Sequence, residues 1–238
     1  MNINKDDLYN FLTDEPDKQK FAEFLKSNGY EVNDIDFKEQ WIKKGKLAKI
    51  ILAMANYGGG IIVFGVKENS DGLMEPVGIE KIRDQADVSN ELKKYLPEHL
   101  FWKVQNFSYE KSEYEKLNGK TFQILIIYDT PKYLPFISRS YGEDGLKESA
   151  IYTRRGTESV EVNNSELQDL ISRRIETHFV SNIDFSEHMK QLKVLYSYKP
   201  QYPKIFNITF TQSNVEFDDY IDYLIKKKKK IIESVLGL

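Results

Sequence analysis

The stretch "AMANYGGGIIVFGV", Ala53 to Val66, comes nearest to a recognisable chemistry, through three consecutive glycines, Gly58, Gly59 and Gly60. Glycine loops cradle phosphate when a strand leads in and a helix follows, because the helix N-terminal N–H groups then face the anion. Here a helical run precedes the glycines and a β-branched apolar run follows them. The spacing matches neither G-x-G-x-x-G nor G-x-x-x-x-G-K-[ST]. A Walker or Rossmann loop is therefore disfavoured, and no nucleotide cofactor is expected. The glycines read instead as a sharp helix-to-strand reversal, where φ > 0 or close backbone approach admits little but Gly. Asn56, just ahead of them, fits a helix-terminal cap.

Composition removes other chemistries. The 238 residues contain no cysteine, which excludes disulfides and thiolate zinc sites. His99, His178 and His188 are scattered and form no close-spaced ligand pair. With 40% hydrophobic and 30% charged residues the chain can fill a core and keep a soluble surface. The net charge of −3 makes no global case for nucleic acid, so any such contact must come from a local basic patch. The polar, acidic N-terminus is wrong for a secretory signal, and no apolar run approaches the ~20 residues needed to cross a bilayer. A soluble, cytoplasmic protein without membrane contact is expected.

The elements that must position any site follow from periodicity. "DLYNFL" and "DKQKFAEFLKSNGY" read as short helices, with Asn28-Gly29 a stop. "EVNDIDFKEQ" alternates about Val32, Ile35 and Phe37 and predicts a strand with one exposed face. "KGKLAKIILAMANY" is a helix and "IIVFGV" a strand; "EPVGI" is a loop entering a helix near "DVSNELKKYL". "FWKVQNFSYE" and "KTFQILIIYD" form a hairpin through the Asn-Gly-containing "EKLNG". "PKYLPFISRS" is extended, "SAIYTRRG" is a strand, and "NNSELQDLISRRIETHF" is a helix with an Asn cap and Glu166 three residues after Asn163. Mixed α and β order up to about Phe179 predicts one α/β domain. Beyond it, "FSEHMKQLKVLYSY" and "VEFDDYIDYLIKKKKKIIESVLGL" predict an α-rich appendage, with "PKIFNITFT" between them. Lys226 to Lys230 sit where helix C-terminal charge is tolerated; a dimer or partner contact through this helix is the sharper alternative. The divisions are thus a helical segment over 1–30, a domain over 31–179 and an appendage over 180–238.

The ordered set "EVNDIDFK", "AMANYGGG", "IIVFGVKE", a Gly78 loop and "IYTRRGTE" resembles the AlbA-type DNA-binding domain shared by Schlafen proteins and many prokaryotic regulators and defence proteins. The family pattern is an acid–hydrophobic–Lys strand, a helix closing in Ala-x-x-Asn-x-x-Gly-Gly, a strand ending in Gly-Val and a late Arg-x-Gly element. The likeness runs from about Glu31 to Ile175. It implies a mixed α+β domain that binds DNA or RNA. In Schlafens of the vertebrate type it also implies a metal-dependent endoribonuclease built on three carboxylates. These fall on Glu31, Asp36 and Glu68, with Mg²⁺ or Mn²⁺ as the ion.

Oxygen ligands of this kind suit such a cation, which polarises phosphate and generates hydroxide from water. Glu31 and Asp36 are five residues apart, so a regular strand would point them to opposite faces unless a turn or bulge intervenes. Lys38 shares the strand face of Asp36 and suits a phosphate contact or stabilisation of developing charge. Arg154 and Arg155 are adjacent on a strand, so one meets phosphate while the other turns toward an internal acid. Lys132 and Arg139 flank the proline segment and extend the patch. Arg173 and Arg174 near a helix end serve its dipole. Trp41, Tyr57 and Trp102 offer faces for base stacking, with core packing the competing role.

Three readings remain open on the sequence. The chain binds nucleic acid and cleaves RNA with a divalent metal; or it is a non-catalytic regulator or defence sensor; or it is an interaction domain acting through its tail. Schlafen cores pair two related lobes, and one is visible here, so a homodimer supplying the second is a further expectation.

Overall fold

The computed structural model describes residues 17–26, 34–69, 73–182, 185–198 and 212–236. The helix read at "DLYNFL", the carboxylate Glu31 and the segment "PKIFNITFT" lie outside these residues. Two compact units are present, Met1–Ile175 and Glu176–Leu238.

The first unit is built on a four-stranded mixed sheet. Its strands are β1 (Ile35–Lys38), β2 (Gly60–Phe64), β5 (Trp102–Tyr109) and β6 (Lys120–Ile127), in the order β1-β2-β6-β5. β1 runs parallel to β2, and β6 is antiparallel to both β2 and β5. A parallel neighbour needs a crossover, and helix α2 (Lys44–Tyr57) supplies it between β1 and β2. β3 (Val66–Glu68) and β4 (Met74–Pro76) form a small antiparallel pair, followed by α3 (Gln85–Leu92). β7 (Tyr152–Arg155) and β8 (Glu158–Glu161) form a second pair, followed by α4 (Asn164–Asn182).

Both faces of the sheet are covered, which explains why β2 is apolar at every position. Ile62, Phe64, Leu125 and Ile127 face Leu47, Ile51 and Met54 of α2. Ile61, Val63, Ile124 and Ile126 face Phe21, Phe24 and Leu25 of α1 (Lys18–Lys26). Sidedness alternates residue by residue, as the pleat requires.

The reversal between α2 and β2 is tight. Gly58 and Gly59 have φ of 133° and 82°, and both their N–H groups donate to the Met54 carbonyl. At Gly60 the constraint is space: a Cβ would lie 2.9 Å from the Asp34 carbonyl oxygen and 2.9 Å from Met54 Sδ. Gly60→Ala should therefore cost about 1–3 kcal/mol as an overpacking defect, seen as a lower thermal midpoint with unchanged circular dichroism at 25 °C.

α4 starts with a reciprocal capping box. The Glu166 N–H donates to Asn163 Oδ1 (3.0 Å), and the Asn163 N–H donates to Glu166 Oε2 (2.7 Å). Arg155 adds a fork, Nε to Oε1 at 2.7 Å and Nη2 to Oε2 at 2.8 Å. The Arg155 hydrogen bond, then the Asn163 N–H, hold the Glu166 carboxyl down at about 2. A carboxyl lowered in the folded state stabilises above its ordinary value and loses that effect as pH falls. The stability gap between wild type and Glu166→Gln should thus persist at neutral pH and close as pH drops from about 4.5 to about 2. Acid titrations followed by fluorescence read it directly.

In the second unit α5 (Phe185–Ser197) packs on α6 (Gln212–Leu236). Ile221, Ile225 and Ile232 are buried on α6, and Lys228 Nζ donates to Gln191 Oε1 at 2.5 Å. Among the described residues no helix is long and apolar enough to cross a membrane.

Candidate nucleic-acid interface

β1 places Ile35 and Phe37 on the α1 side of the sheet, which leaves Asp36 and Lys38 on the α2 side. The sequence predicts that this polar face is exposed; the structure corrects that. Asp36 is buried, because β7 lies over it and supplies Arg154. Arg154 Nη1 donates to Asp36 Oδ2 at 3.2 Å and to Ser159 Oγ at 3.3 Å. Lys38 Nζ contacts Asp36 Oδ1 and donates to the Phe37 carbonyl at 3.0 Å. The two side chains of the Arg154–Asp36 pair are only 1% and 4% exposed. Arg154 is therefore inside the fold, away from any phosphate on the surface, while Arg155 on the next position faces out and is held by Glu166.

The carboxylates are placed as follows. Asp36 has a cation on each oxygen. Glu68 is exposed at the end of β3, where the Gly65 N–H bonds the Lys38 carbonyl (2.8 Å) and Lys67 pairs with Glu39 (3.7 Å). Those contacts put β3 at the Lys38 end of β1. Glu31 lies outside the described residues, among which no group of three or more His, Asp or Glu could hold a metal. A carboxylate already neutralised by two cations does not fit a divalent ion as arranged here.

Asn56 does something other than cap its own helix. Its Nδ2 donates to the carbonyls of Phe136 (2.9 Å) and Tyr152 (2.8 Å), and its Oδ1 accepts from the Phe136 N–H (2.8 Å). The side chain thus joins the end of α2 to the segment before β7 and to β7 itself. Arg173 and Arg174 are also corrected: they lie within α4, not at its end. Arg173 donates to the Asn56 carbonyl (2.9 Å) and pairs with Asp129 (3.1 Å), and Arg174 donates to the Leu134 carbonyl (2.9 Å).

Among the candidate aromatics, Trp41 is stacked on Phe64 at 3.9 Å, with the Arg83 guanidinium 5.1 Å from its ring. Its indole N–H donates to Gln123 Oε1, a fully buried amide that also takes the Arg83 N–H and gives hydrogens to the Arg83 carbonyl and Asn106. Trp102 packs half-buried on the core, and Tyr57 is exposed. Lys132 is exposed, its Nζ 4.7 Å from the Tyr133 ring, and Arg139 is exposed and 3.8 Å from Glu98.

One basic element is absent from the sequence-based candidates. Lys43, Lys44 and Lys46 are exposed at the start of α2, whose first turn has no acidic residue and whose N-cap makes no side-chain bond. Cations there oppose the helix macrodipole by about 0.3–1 kcal/mol each. A lysine cluster at a helix start, where Asp and Glu are the stabilising choice, is a signal readable from "WIKKGKLAKI". Four residues, Glu39 to Ile42, separate it from Lys38 in the loop after β1.

Comparison with known proteins adds the family. No curated protein matches this chain. The crystal structure of the DIP2311 protein from Corynebacterium diphtheriae is similar over 63% of this chain and 27% of that one, at 15% identity and a TM-score of 0.40. This chain therefore spans about a quarter of that protein. The family model for Schlafen, AlbA_2 matches residues 31–163, more than half of the chain and the whole of the sheet, its crossover helix and β7. With that span matched, the chain belongs to the Schlafen AlbA_2 family.

Proposed function

We propose that this chain binds nucleic acid through its phosphate backbone, using Lys38 and the exposed lysines at the start of α2. The family match over residues 31–163 carries the reading, because it spans these lysines. The lysines at the start of α2 support it: a bound phosphate would relieve their conflict with the helix dipole, since anions are favoured where backbone N–H groups point outward. Lys132 and Arg139 add exposed cations whose contacts within the protein are of the weak surface kind. Arg154 acts from inside, holding Asp36 and through it the position of Lys38.

Fluorescence anisotropy with single-stranded RNA, single-stranded DNA and duplex DNA in chelator tests this. Wild type binds, and the triple variant Lys43→Gln, Lys44→Gln, Lys46→Gln binds at least about tenfold more weakly, with a shallower salt dependence. Absence of binding by the wild type at low salt overturns the reading and favours an interaction domain. Parallel incubations of RNA with Mn²⁺ or Mg²⁺ separate binding from hydrolysis. Cleavage that needs metal and disappears in Glu31→Ala and Glu68→Ala would replace simple binding by a metal-dependent endoribonuclease.

A further inference from the structure

Two loop segments meet beyond the ends of β5 and β6. The Tyr128 N–H donates to the Phe101 carbonyl (3.0 Å), and the Arg139 N–H donates to the Tyr95 carbonyl (3.0 Å). These bonds bring a row of rings together. His99 is stacked on Tyr133 with centroids 4.6 Å apart and planes 11° apart. Phe101 is 6.4 Å from Tyr133, tilted by 49°, and half exposed. Lys132 Nζ lies over Tyr133 at 4.7 Å, and Arg139 is exposed on the same pair of segments.

A half-exposed phenylalanine ring leaves about half of its apolar surface in water, so its place beside a preformed ring pair suits an occupant with a flat apolar face. Lys132 and Arg139 outweigh Glu98, which lies 3.8 Å from Arg139, so the flank favours an anionic occupant. Unpaired nucleotides join both properties in one unit, whereas in a duplex the base faces are already stacked on each other. We infer that His99, Tyr133 and Phe101 form a stacking site for an unpaired base of single-stranded nucleic acid, with Lys132 and Arg139 meeting its phosphates. The inference rests on the nucleic-acid reading above and narrows it to single strands.

Phe101→Ala is the informative variant, since a half-exposed ring can be removed without opening the core. Anisotropy with a single-stranded RNA, the same RNA carrying abasic sites, and a duplex of the same sequence reads the effect. Phe101→Ala should weaken single-strand binding about tenfold, leave duplex binding within about twofold, and erase the preference for bases over abasic sites. Phe101→Trp should restore all three, and Lys132→Gln should weaken both forms and flatten the salt dependence. Wild-type binding that ignores Phe101→Ala, or falls equally for single strands and duplex, overturns the stacking site alone and leaves the ring as a protein-docking residue. Absence of any wild-type binding removes this inference together with the proposed function.

Discussion

Arg154→Ala should destabilise the protein by about 3–5 kcal/mol, among the largest single effects in the chain. The guanidinium and the Asp36 carboxylate are both removed from water, so each has lost its hydration and depends on the other. Removing Arg154 leaves a buried carboxylate with Lys38 as its remaining cation among the contacts described. Asp36→Ala removes an acid partner of a buried guanidinium and should cost a comparable amount. The doubly apolar Asp36→Leu, Arg154→Met should recover most of the loss, because a buried pair replaced by apolar residues of similar volume is often neutral. Urea unfolding of the four proteins reads these differences. Two single variants each costing under about 1 kcal/mol would show that the pair is solvated.

Asn56→Ala is expected to have an effect of similar size by another route. It deletes three hydrogen bonds and leaves two buried carbonyls and one buried N–H without that partner. Each stranded group costs about 1–3 kcal/mol, so a loss of about 3 kcal/mol or more is expected. Asn56→Asp distinguishes hydrogen bonding from shape. Two carbonyls need the amide NH₂, and a carboxylate would face them with oxygen instead, so Asp keeps only the bond from the Phe136 N–H and should recover little of the loss. Thermal unfolding of both variants decides it, and a stable Asn56→Asp protein would contradict the assignment of the amide.

Local pattern made much of the fold legible. "KGKLAKIILAMANY", the all-apolar "IIVF" and the hairpin of "FWKVQNFSYE" and "KTFQILIIYD" became α2, β2, and β5 with β6. The short β3–β4 and β7–β8 pairs were less so, since three or four residues carry little periodicity; of them only β7 is expected as a separate strand. The site was harder to read for a physical reason. The alternation about Ile35 and Phe37 separates two faces but does not say what covers the second, and the cover comes from Arg154, 118 residues away. Asn56 likewise finds its partners 80 and 96 residues on. Gln123 offers no signal, being one glutamine within an apolar strand. The lysines opening α2 were visible, and helix electrostatics is what gives them meaning.

The salt dependence of binding in chelator tests the central claim most directly. A phosphate-binding surface predicts that the wild-type chain binds single-stranded RNA without metal, and that log K falls linearly with log salt at a slope set by the number of phosphates neutralised. The lysine triple variant should lower that slope by about one for each contact it removes. Affinity that does not change with salt, or no binding at the lowest salt, would contradict it.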